Sequence, residues 1–403
     1  MTILLEPLIA IHEAVMANIF TAKKRYLYHQ INWEAKSICL LGNRGVGKTT
    51  LMAQFLLNHY KSVSRALYIS ADNVYVSGEG LFAIAQTFFQ FGGEALFIDE
   101  IHKYPSWAQE LKNILDTYRD KQIIFSASSV LDLKKSKYDL SRRMVYYELK
   151  GLSFREYLHF SAELEVPQVT LAEVFSQHLA IAENFKKQTI LKYFHDYLLS
   201  GYFPFFLEGI QDYLSKINNI LEKVLFEDIA VVHNIRQSTI TILKKLLWLV
   251  AISKSFVPNI DRISKDLRVS REIIYVCLEH LEQAGLLNNV YHNATGLKLI
   301  RKPAKIYLEN TNLICAINGV VKLSNDIGNL RETFFVNQLS HSYRLNLHDH
   351  ADFIIDDQYI VEVGGKSKNF DQIKKEANSY LAIDNLEIGF GRKIPLYIFG
   401  FLY

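Results

Sequence analysis

Along the first 150 residues, short apolar runs alternate with segments of helical period. Ile38-Cys39-Leu40-Leu41 is apolar throughout and closes on Gly42, the pattern of a strand buried on both faces. A helical pattern follows over residues 48–60. The strand signature returns at 66–69, 95–98 and 122–125, with helical patterns near 80–91 and 107–118 between them. This alternation predicts a parallel sheet with helices on its faces. Residues 1–37 read as one amphipathic helix and a connector. Beyond residue 157 the strand signature stops, and 160–252 read as helices with turn signals at Gly201 and Pro204. Residues 254–310 read as a small separate unit. From residue 330 the pattern predicts a helix, strands, another helix and a final apolar strand.

Gly42-Asn43-Arg44-Gly45-Val46-Gly47-Lys48-Thr49-Thr50 fits G-x-x-x-x-G-K-[ST], between an expected strand and an expected helix. Glycines at these positions let backbone amides wrap phosphates at a helix start. Lys48 is expected to reach the β- and γ-phosphates, and the Thr49 hydroxyl to bind magnesium. Ala95-Leu96-Phe97-Ile98-Asp99-Glu100 is an apolar strand ending in two acids, where strand ends face a ligand crevice. Asp99 is the expected magnesium partner. Glu100 is the expected base for the attacking water. The strand ending in Ser126-Ala127-Ser128 offers a hydroxyl, on Ser126 or Ser128, to sense the γ-phosphate. Either arginine of Ser141-Arg142-Arg143 fits a charge-stabilising role there, in the same subunit or a neighbour's.

With these motifs placed, the chain resembles the bacterial and archaeal AAA-superfamily ATPases that carry a C-terminal restriction-endonuclease-like domain. Besides the phosphate loop, the resemblance rests on Ile98-Asp99-Glu100-Ile101-His102-Lys103-Tyr104-Pro105-Ser106-Trp107, Phe125-Ser126-Ala127-Ser128 and Leu152-Ser153-Phe154-Arg155-Glu156-Tyr157. It continues through Gly201-Tyr202-Phe203-Pro204, Lys305-Ile306-Tyr307-Leu308 and the ending Ile394-Pro395-Leu396-Tyr397-Ile398-Phe399-Gly400-Phe401-Leu402-Tyr403. The resemblance implies an α/β fold with four parts: a P-loop AAA-type core of five strands over 1–158, a helical lid over 159–252, a winged helix over 253–312 and an endonuclease-like α/β domain over 313–403. It assigns the arginine role to Arg143, although Ser141-Arg142 departs from the family's pattern and keeps Arg142 in play.

Residues 263–284 read as two short helices joined by Arg268-Val269-Ser270, with Ser270 a good N-cap and Gly285 a good stop. A hairpin with Asn293-Ala294-Thr295-Gly296 at its tip completes a helix-turn-helix plus wing. The second helix offers Arg271 and Tyr275 against Glu272, Glu279 and Glu282, a poor match to DNA phosphates. The wing is more basic, with Lys298, Arg301, Lys302 and Lys305 as the expected DNA or RNA contacts. In the tail, Asp352 and Glu362 match the two acids of the D…[DE]-x-K nuclease pattern and form a candidate second metal site. The expected lysine position is Gly364. Lys366 lies two residues too far unless the chain bends at Gly364-Gly365.

Composition narrows the reading. The chain has 403 residues, 49% of them hydrophobic, enough for about three domains. Lys and Arg number 45 against 42 Asp and Glu, a net charge of +3, which excludes a polycation or an acidic tail protein. Three cysteines without a C-x-x-C pair argue against a zinc ribbon or disulfide framework and for a reducing compartment. The strongest apolar stretch, 242–252, contains Lys244 and Lys245 and is too short to span a membrane. The expectation is a cytoplasmic ATP-binding protein and magnesium-dependent ATPase, acting as a motor or switch, with a nucleic acid or a protein as partner and nucleotide-dependent oligomers. The alternative is a signalling or assembly switch whose nuclease-like tail is non-catalytic.

Overall fold

The computed structural model describes residues 5–127, 140, 142–253, 256–293, 303–319 and 327–403. The chain divides into two compact units, Met1–Gly151 and Leu152–Tyr403.

In the first unit, β1 (Ser37–Leu41), β2 (Ala66–Ser70), β3 (Ala95–Asp99), β4 (Gln122–Ala127) and β5 (Val145–Glu148) form one sheet in the order β2-β3-β4-β1-β5. Every pairing is parallel. β1, β3 and β4 are buried along their whole length, as continuous apolar runs require. β5 lies at the edge and is largely exposed. The register aligns the strand ends: Leu41 pairs with Ala127, and Ile98 with Phe125. The loop after β1, the acids at the end of β3 and Ser126 on β4 therefore meet at one sheet edge. That edge is where an open parallel sheet binds ligands. Beneath it, Ile98, Leu111, Ile114, Ile123 and Phe125 belong to one fully buried core.

The second unit opens with helices Phe154–Ala162, Leu171–Glu183, Ile190–Ser200, Tyr213–Lys223 and Gln237–Ile252. The first two start at reciprocal capping boxes, Ser153 with Glu156 and Thr170 with Glu173. Helices Ile260–Leu267 and Arg271–Gln283 follow. Asn259 and Ser270 cap them, each side chain accepting a backbone N–H. Then comes the antiparallel pair β6 (Leu287–His292) and β7 (Lys305–Leu308). The expected hairpin tip at 294–296 lies outside the described residues.

After helices Thr311–Asn318 and Ile327–Leu339 come β8 (Leu345–Leu347), β9 (Phe353–Ile355), β10 (Tyr359–Gly364), β11 (Ser379–Ile383) and β12 (Lys393–Pro395). They join β6 and β7 in one seven-stranded sheet, β12-β11-β10-β9-β8-β6-β7. The link is a parallel pairing of β6 with β8, Tyr291 to Asn346 and His292 to Leu347. The sheet thus runs across the expected division at 312/313. Two expectations are corrected here. The stretch between β10 and β11 is a series of turns, not a helix: Asn369 bonds Asp371 through both its side-chain groups, a local alternative to helical bonding. The final apolar run is a three-residue strand followed by the 3-10 turn Leu396–Phe401, buried throughout.

Candidate nucleotide site

Residues 42–47 link β1 to the helix Lys48–His59. Gly42 and Gly47 have φ of +153° and +98°, conformations that a side chain would strain. A Cβ on Gly42 would also lie 2.3 Å from the Leu149 carbonyl oxygen. The helix start brings its first amides to the loop, where they favour an anion. Lys48 is 5% exposed. Its Nζ donates to the carbonyls of Gly42 at 2.9 Å and Asn43 at 3.1 Å, and lies 3.8 Å from Glu100 Oε1. Asn43 precedes a turn at Arg44 and Gly45, and Thr49 and Thr50 lie in the first turn of the helix.

Asp99 is buried and accepts three hydroxyls. Thr49 Oγ1 donates at 2.6 Å, Tyr68 Oη at 2.9 Å, and Ser126 Oγ at short range. Burial together with the Asp99 charge pushes the Tyr68 phenol far above its ordinary value, so it stays a donor. Ser126 Oγ also accepts the Glu100 N–H at 2.9 Å. Ser126, expected to sense a γ-phosphate, thus bonds both strand-end acids, Asp99 through its side chain and Glu100 through its amide; Ser128 lies outside the described residues. A carboxylate and a threonine hydroxyl side by side form a donor set suited to magnesium, a hard cation that keeps several waters.

Glu100 has φ of +51°, a left-handed backbone rare for a residue with a side chain. Such strain gathers at functional sites. Its Oε2 is buried without a hydrogen-bond partner, and His102 Nε2 lies 3.6 Å from it. His102 had no assigned role in the motifs. Its signal is only the spacing: a 3-10 turn at Ile101–Lys103 returns residue 102 to the acid. Arg143 donates from Nε and Nη2 to Asp116 at 2.9 and 3.3 Å, and Asp116 also meets Lys112. The paired cations hold the Asp116 carboxyl below its ordinary range. Arg142 is exposed.

In the second unit, Asp352 and Glu362 do come together. The Asp352 N–H donates to Glu362 Oε2 at 3.0 Å, and the Val363 N–H to Asp352 Oδ2 at 2.9 Å. They help line a cavity of about 360 Å³ with Asp349, His350 and Gln372. Two lysines engage them. Lys368 Nζ pairs with Glu362, and Lys305 Nζ lies 3.5 Å from Asp352 and 3.4 Å from Glu332. Burial, reinforced by the Asp352 charge, raises the Glu332 and Glu362 carboxyls. Lys305, expected on the wing toward nucleic acid, instead faces this cluster; Lys298, Arg301 and Lys302 lie outside the described residues. The lysine that pairs with Glu362 is Lys368, four residues past the end of β10, rather than Lys366. Gly364 makes room for it: a Cβ there would sit 2.8 Å from Lys368 Cγ. Among the described residues, no group of three or more His, Cys, Asp or Glu side chains is arranged to hold a metal ion. Nor is any helix among them long and apolar enough to cross a membrane.

Residues 34–158 match the family described as AAA domain, and residues 191–324 a family described as a domain of unknown function. An uncharacterised protein of Methanocaldococcus jannaschii is 28% identical over 392 residues, covering 89% of this chain and 81% of that protein. The Walker-type ATPase of Pyrococcus abyssi aligns at 14% identity over 72% of this chain and 94% of its own, with a TM-score of 0.41. DnaA from Aquifex aeolicus, bound to AMPPCP, aligns at 15% identity over 70% and 89%, with a TM-score of 0.29. The first unit is an α/β fold on a five-stranded parallel sheet, and over residues 34–158 the chain is similar to AAA-type P-loop domains.

Proposed function

We propose that the first unit binds ATP with magnesium and hydrolyses it, and that this turnover works a switch or motor. The observation that carries this reading is the 2.6 Å bond from Thr49 to Asp99. It joins the first turn after the phosphate loop to an acid fifty positions away, and both side chains have the chemistry that magnesium needs. Bound magnesium would neutralise phosphate charge beside Thr49 and Asp99. The loop amides and Lys48 hold the phosphates, Glu100 orients and takes the proton of the attacking water, and Ser126 keeps the two acids in register. Arg143, once released from Asp116, or the exposed Arg142 adds charge stabilisation.

The test is phosphate release from ATP. Lys48→Ala is expected to remove tight nucleotide binding. Glu100→Gln is expected to keep binding and lower turnover by about 10²- to 10⁴-fold. Unchanged turnover in both would sink the assignment.

For the purpose of that cycle, two observations support a protein partner over nucleic acid. Arg271 Nε, the basic group of the second helix in the expected winged helix, is 2.6 Å from Asp261. Lys305 and Lys368 are taken up by the tail's acids. The tail then serves as a non-catalytic interaction domain, and assembly follows nucleotide state. Stimulation of turnover by single-stranded, duplex or branched DNA or RNA would reverse that preference.

A further inference from the structure

Arg25 precedes the 3-10 turn Tyr26–His29 and belongs to no motif. It is 5% exposed. Its Nη1 donates to the Val46 carbonyl at 2.6 Å, and its Nη2 to the carbonyls of Lys150 and Gly151, both at 2.8 Å. A buried guanidinium is tolerated only where its donors are met, so this geometry holds three backbone carbonyls together.

Peptide planarity turns that tie into a statement about nucleotide. The Val46 carbonyl and the Gly47 amide share one rigid plane and point in opposite directions. Gly47 has φ of +98° and caps the helix Lys48–His59, whose first amides favour an anion. Arginine behind the Val46 carbonyl therefore holds the Gly47 N–H toward the phosphate position. The other end of the loop rests on the same support. Leu149 N donates to Leu41 O at 2.7 Å, and the Leu149 carbonyl closes against Gly42. Both ends of the phosphate loop are thus tied to residues 149–151, through which the chain leaves the first unit.

We propose that Arg25 is a positioning residue for nucleotide binding, and that it makes residues 149–151 the backbone segment that registers whether the loop is filled. This rests on the ATP reading of the same site. In the full chain, Arg25→Lys keeps the charge but loses the fork that spans three carbonyls. It is expected to raise the KM and Kd for ATP about ten- to a hundredfold, with kcat at saturation within about threefold. Glu100→Gln should show the reverse split. The melting temperature without nucleotide, measured alongside, separates the two roles: a merely structural tie would lower it and leave KM alone.

The second measurement starts from the wild type. In the wild type, ATP should slow hydrogen exchange at the amides of residues 149–152, and Arg25→Lys should abolish that protection. A KM unchanged in Arg25→Lys, or wild-type exchange at 149–152 indifferent to ATP, overturns the proposal. If Arg25→Lys does not fold, wild-type exchange decides. If Lys48→Ala loses ATP and Arg25→Lys does not, this proposal fails alone; a wild type that binds no ATP takes both readings down.

Discussion

His12 shows how one buried ring can set a pH limit on the first unit. It is 5% exposed, and its Nδ1 accepts the N–H of Tyr68, the middle residue of β2, at 2.9 Å. Burial lowers its pKa to about 4, so the ring is neutral in the fold. As pH falls, the unfolded chain takes the proton first, near its ordinary 6.5. Stability from this group is full above about 6.5 and is lost progressively down to about 4, a change of roughly 3 kcal/mol. His12→Asn keeps an acceptor and should flatten that part of a melting-temperature profile; parallel profiles would count against the assignment. At this scale the phosphate loop was legible because its nine residues are contiguous and only one backbone path suits them. Arg25, His102 and Lys368 were not legible. Each acts through a partner that only the fold brings near, and an arginine, a histidine or a lysine alone carries no signal of it.

At the scale of elements, the four buried strands of the first unit were legible because burial on both faces demands an unbroken apolar run. β5 escaped that reading: Val145-Tyr146-Tyr147-Glu148 sits at an edge, mostly exposed, and among the described strands pairs with β1 alone. An edge strand needs no apolar continuity, so its backbone pairing leaves little trace. The cap at Ser270 was legible, just ahead of the helix Arg271–Gln283; the one at Ser153 was not read. Ser153 begins the helix Phe154–Ala162 by accepting the Glu156 N–H, and its hydroxyl donates to the Tyr403 carbonyl at 2.7 Å. Ser153→Ala therefore loses a cap and leaves a buried acceptor less satisfied. The expected cost is about 1–2 kcal/mol in urea unfolding, with the slope unchanged. A stability equal to the wild type's would show that the box contributes nothing.

For the molecule as a whole, the carboxylate cluster of the second unit sets a pH response opposite to that of His12. Glu362 is raised by burial and by the Asp352 charge; Lys368, and to a lesser extent the Asp352 N–H, pull it back down. A folded-state pKa raised above the unfolded value means stability present below the unfolded pKa and lost as pH rises through the folded one. Removing Lys368 raises it further. Lys368→Met should thus cost about 1–3 kcal/mol near pH 8 and little near pH 4, read by chemical unfolding at both. An equal cost at both pH values would mean that the lysine stem, not its charge, matters. The acids themselves were legible from their spacing around a hairpin. The two lysines were not, because one arrives from β7 and the other by way of a turn.

The pairing of β6 with β8 has a practical side. Hydrogen bonds between Tyr291–His292 and Asn346–Leu347 make the stretches on either side of residue 312 co-owners of one sheet. A fragment ending at 312 would bare one flank of β6, and a fragment starting at 313 would bare the matching flank of β8. Each would offer unpaired backbone to any passing strand. The two stretches are consequently poor cassettes: a cut between them leaves each with an open strand flank, and they are best engineered and purified together.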